Sequence, residues 1–65
     1  MLKNRHKKER TAILELLSAV PISFEYLQKE TELSLPIIYT IILELELAGK
    51  VVRHAGNKIS LVYNE

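Results

Sequence analysis

The sequence predicts an α+β fold, mainly α, in which three helices precede a C-terminal β-hairpin. Three observations carry this. Apolar residues recur at helical spacing as far as Gly49, the period falls to two from Val51 onward, and Gly56-Asn57 separates two alternating runs.

The first helix rests on Ile13, Leu16, Leu17 and Val20, with Leu14 widening the stripe. Pro21 stops it at about Ser18 or Ala19, because proline disfavours helical geometry in the residue before it. Asn4 offers a cap, but the cations of the first turns oppose the helix dipole, so residues 1–6 are expected to fray into a tail. Ile22 reads as a bridge strand of one or two residues. Ser23 then caps a second helix, Phe24 to about Glu30, with Phe24 and Leu27 facing inward, and Thr31-Glu32-Leu33 makes the turn.

Ser34 caps a third helix that tolerates Pro36 in its first turn, where a missing N–H leaves no bond unmade. The β-branched run from Ile37 to Ile42 also suits a strand. Length, caps and the stop at Gly49, which suits the left-handed position after a helix, decide for helix. The alternating runs Val51–Ala55 and Lys58–Tyr63 then flank Gly56-Asn57 as a two-residue type II′ hairpin. This order is that of a winged helix-turn-helix. Residues 1–10 read as a basic N-terminal tail or linker and residues 11–65 as the winged-helix domain, with no internal repeat or second domain.

Composition narrows the function. Sixty-five residues with 48% apolar content allow one small core of marginal stability. Cysteine and aspartate are both missing, and the histidines, His6 and His54, fall in the tail and the hairpin. No nucleophile–base set, zinc site or disulfide framework can be written, and two glycines make no phosphate-cradling loop. The expectation is a non-enzyme without cofactor or metal. No apolar run approaches a membrane span and no signal peptide is visible, which predicts a cytoplasmic protein.

The net charge of +1 hides an asymmetry. Lys3, Arg5, Lys7, Lys8 and Arg10 face only Glu9 in the first ten residues, and Lys50, Arg53 and Lys58 face only Glu65 in the last sixteen. Between them, Lys29 stands against Glu15, Glu25, Glu30, Glu32, Glu44 and Glu46. An anion-binding surface therefore belongs at the two ends.

On a helical wheel, Ile38, Ile41, Ile42 and Leu45 of the third helix share the core face, and Ile37, Tyr39, Leu43 and Leu47 face elsewhere. Residues 35–48 would be the groove-entering helix of a helix-turn-helix, yet they contain no cation. That argues against base-specific reading, which normally uses Arg, Lys, Asn or Gln. Glu44 and Glu46 lie on different faces and read as solvated charge.

Two binding modes remain. The first is weak, sequence-tolerant contact with DNA phosphates, single- or double-stranded, through Lys7, Lys8 and Arg10 of the arm and Lys50, Arg53, His54, Asn57 and Lys58 of the wing. The second is a protein interface on Ile37, Tyr39, Leu43 and Leu47, covered by a second copy, by the rest of a parent protein, or by the basic N-terminal segment folding back.

Leu33-Ser34-Leu35 and the run Ile41 to Val51, with Leu45-Glu46-Leu47-Ala48-Gly49 at its centre and Gly56 in the wing, resemble the C-terminal winged-helix domain of the DNA-processing protein DprA/Smf family. Upstream, Ile13 to Ser18 and Pro21-Ile22-Ser23 resemble that domain's opening pattern. The resemblance covers about residues 11–62. It implies a fragment of a longer protein, with residues 2–10 as the linker from a Rossmann-like domain and that domain as a partner. It also implies a role in natural transformation, where the family protects incoming single-stranded DNA and loads the recombinase. Those activities would reside chiefly in the Rossmann-like domain. The wing departs from the family's Gly-basic-Tyr ending, since Asn57-Lys58-Ile59 follows Gly56.

Overall fold

The computed structural model describes residues 7–62. Within them the order is α1 (Lys7–Leu16), β1 (Ile22–Ser23), α2 (Phe24–Thr31), α3 (Leu35–Leu47), β2 (Val51–His54) and β3 (Lys58–Leu61). The strands form one antiparallel sheet in the order β1-β3-β2, so the short β1 closes the free edge of the hairpin. This is the predicted winged helix-turn-helix. The proposed Asn4 cap and the tail at residues 1–6 lie outside the described residues.

Helix α1 ends at Leu16, earlier than Pro21 alone predicts. The Ser18 carbonyl accepts from the Leu61 N–H at 2.8 Å, and the Ser18 hydroxyl accepts from the Val20 N–H at 3.1 Å. These bonds commit the chain to the sheet before proline acts. Val20 consequently leaves the apolar stripe and is 67% exposed, whereas Ile13 and Leu17 stay buried.

Helix α2 is capped as expected: the Ser23 hydroxyl accepts from the Tyr26 N–H at 3.0 Å. It runs one residue past Glu30, and Glu32 then takes a left-handed conformation at φ 60° while its N–H reaches the Gln28 carbonyl. Ser34 occupies the cap position of α3, but its side chain makes no capping bond. Pro36 has removed one of the N–H groups such a cap would bind, and the Ser34 backbone carbonyl alone starts the helix, accepting from Ile38 at 3.1 Å.

The end of α3 is tightly specified. Gly49 donates to Glu46 and Lys50 donates to Leu45, both at 2.9 Å, with Gly49 at φ 77°. These paired bonds satisfy the last carbonyls and turn the chain into β2. The β-hairpin loop is not the predicted two-residue type II′ turn. His54 pairs with Lys58, leaving Ala55-Gly56-Asn57 as a three-residue loop in which Gly56 and Asn57 both have positive φ. Asparagine tolerates that conformation, and the residue added to the turn is Ala55. The core gathers Ile13, Leu17, Phe24, Leu27, Ile38, Ile41, Ile42, Leu45, Val51 and Ile59 between the helices and the inner face of the sheet. The predicted core face of α3 is completely represented.

Candidate nucleic-acid interface

Strand register sorts the cations of the wing. Val51 lies opposite Leu61, Val52 opposite Ser60, Arg53 opposite Ile59 and His54 opposite Lys58. Residues opposite one another share a face and neighbours along a strand alternate. Val51, Arg53, Ile59 and Leu61 therefore form the inner face, and Val52, His54, Lys58 and Ser60 the outer one. Lys50 precedes Val51, and its carbonyl accepts from the Val62 N–H at 3.0 Å, so it continues the outer row.

Lys50, His54 and Lys58 are exposed on that row, and none forms an ion pair with a carboxylate among the described residues. From Lys50 to His54 the row extends about 13 Å at the rise of a strand. His54 is further held by Ser60: its Nε2 lies 2.8 Å from the Ser60 hydroxyl oxygen, the donor depending on the imidazole tautomer. Ser60 is a buried polar residue, so this bond satisfies a group that would otherwise be stranded. The Asn57 carbonyl accepts from the Phe24 N–H at 3.2 Å, which anchors the wing turn to the start of α2.

Arg53 behaves differently from its neighbours. On the inner face, its Nε donates to Glu46 Oε1 at 2.9 Å and its guanidinium carbon stands 5.4 Å from the centroid of the Phe24 ring. Arg10 is held as well: Nη2 donates to Glu44 Oε1 at 2.8 Å. Because α1 begins at Lys7, the boundary drawn after residue 10 falls inside a helix, and Lys7, Lys8 and Arg10 ride on its first turns. Lys7 and Lys8 are exposed.

Glu44 and Glu46 are thus ion-pair partners, which corrects their reading as free solvated charge. The sequence offers one sign of this, two acids two residues apart on a helix between basic segments, but only the tertiary fold shows which cations they meet. Between them lies the outward ridge of α3. Leu43 is 50% exposed and Leu47 81%, and no described segment covers them. Tyr39 continues the ridge while its ring packs at 4.9 Å from Phe24. Ile37 is half-buried against the core, at the edge of this surface.

Among the described residues no three metal-binding side chains cluster, and no helix is long and apolar enough to cross a membrane. No curated protein matches the sequence. A family model described as the DprA winged helix domain matches residues 3–57, which spans α1 to the wing turn.

Proposed function

The chain belongs to the DprA winged helix domain family, and from that premise we propose that it is an accessory DNA-binding domain in DNA processing, natural transformation included. It holds the sugar–phosphate backbone through Lys50, His54 and Lys58 on the outer face of the wing, with Asn57 at the turn and Lys7 and Lys8 of α1 as outlying contacts. The observation that supports this most is the split among the cations. Those on the outer face have no carboxylate partner among the described residues, whereas Arg10 and Arg53 do. Binding of this kind is driven by counterion release, so it is sequence-tolerant and falls steeply with salt. The cation-free α3 gives no means of bidentate base recognition.

An NMR titration with a duplex and a single-stranded oligonucleotide tests the reading. Amide shifts concentrated at Lys50, His54, Asn57 and Lys58, with the ridge of α3 silent, are expected. Shifts confined to Tyr39, Leu43 and Leu47 would reject it.

A second reading has its own support. Leu43 and Leu47 form an exposed apolar ridge of a kind that monomers seldom leave open. It suits a protein interface, with either a second copy or a Rossmann-like domain of the parent protein. The two readings use different faces and are compatible.

A further inference from the structure

Two residues apart on a helix means about 200° of rotation, so Glu44 and Glu46 stand on opposite flanks of the α3 ridge. Each captures an arginine from a different element: Arg10 from α1 and Arg53 from β2. Arg53 also rests over the Phe24 ring, yet both pairs stay partly open to water. The side chains of Arg10 and Glu44 keep 35% and 47% of their surface, and those of Arg53 and Glu46 keep 44% and 28%. Ion pairs this exposed contribute little to stability. What they do change is the field: the guanidinium is the group best shaped to grip phosphate, and here both are already facing carboxylate.

We infer that Glu44 and Glu46 are specificity-determining residues that compete internally with phosphate. By occupying Arg10 and Arg53 they withhold the α3 side of the domain from DNA and leave contact to the outer face of the wing. The inference rests on the DNA-binding reading and adds which residues set the docking face and the strength. It also accounts for a helix in the groove-entering position with no cation of its own. Bringing that face to a polyanion would require breaking two ion pairs and placing two carboxylates beside phosphates.

The test replaces Glu44→Gln and Glu46→Gln, singly and together, in the full chain, and measures affinity for a fluorescent 20-base-pair duplex over a salt series. Each variant is repeated with Arg10→Gln or Arg53→Gln in the same chain. Freeing one arginine should steepen log K against log salt by about 0.9, so that affinity falls about 3.5-fold further between 50 and 200 mM salt. The gain should vanish when the matching arginine is already gone. Melting temperatures should stay close to the parent's, which separates a charge effect from unfolding. An equal gain with and without the arginine would overturn the inference, because plain loss of negative charge would then suffice, and so would no gain. If the parent chain binds DNA through the wing lysines yet the glutamine variants show no arginine-dependent gain, this inference fails and the DNA reading stands. If no variant binds duplex or single-stranded DNA at any salt, both fall.

Discussion

Replacing Leu43 and Leu47 by lysine probes the apolar ridge of α3. Their exposures of 50% and 81% leave roughly half and four-fifths of each side chain available to a partner. Full burial of a leucine contributes about 1.5–3 kcal/mol, so covering these two yields about 2–4 kcal/mol before the cost of association. Losing that amount weakens a complex about 30- to 1,000-fold. Neither residue belongs to the buried set of Ile38, Ile41, Ile42 and Leu45, so the double variant should fold with an unchanged circular dichroism spectrum and a near-parental melting temperature. Sedimentation equilibrium should show self-association in the parent chain and a monomer in the variant. A variant that unfolds would place the leucines in the stabilising core. A monomeric parent, or association that survives both lysines, would refute the second-copy interface.

Two further predictions concern the supports of the wing. Gly49→Ala meets nothing within 4 Å of the added carbon, so its cost comes from backbone conformation alone at φ 77°, about 1–2 kcal/mol in chemical denaturation, and Gly49→Asn should cost less. A neutral Gly49→Ala would remove the left-handed cap from the account. His54→Ala strands the buried Ser60 hydroxyl and should destabilise by about 1–3 kcal/mol, a fall in melting temperature of several degrees. Adding Ser60→Ala should recover part of it. Equal losses in the single and double variants would mean the bond does not matter.

How much of this was legible in the sequence depends on how local each cause is. The core face of α3, the Ser23 cap and the glycine stop follow from spacing and residue type within a few positions, and each is present. The end of α1 is not legible locally, because it is set by Leu61, more than forty residues away, reaching the Ser18 carbonyl. Glu32 ends α2 in a left-handed conformation that its residue type does not announce. For Lys50, Arg53, His54 and Lys58 the sequence gives position along the chain but not face. Alternation separates Arg53 from the other three only once the register is known, and the loop proved one residue longer than the Gly56-Asn57 pair suggests. The Arg10–Glu44 and Arg53–Glu46 pairs join elements that charge counting treats as independent segments.

The salt dependence of duplex binding, compared between two double variants, bears most directly on the claim that DNA is held by the outer face of the wing while the arginines are occupied. Lys50→Ala with Lys58→Ala removes two outer-face cations. Arg10→Gln with Arg53→Gln removes two that already face carboxylates. With about 0.9 of slope per phosphate contact on duplex, the lysine variant should flatten log K against log salt by about two units, and the arginine variant should leave the slope unchanged. The reverse pattern, an unchanged slope in the lysine variant and a slope flattened by about two units in the arginine variant, would contradict the account and move the interface to the side of α3.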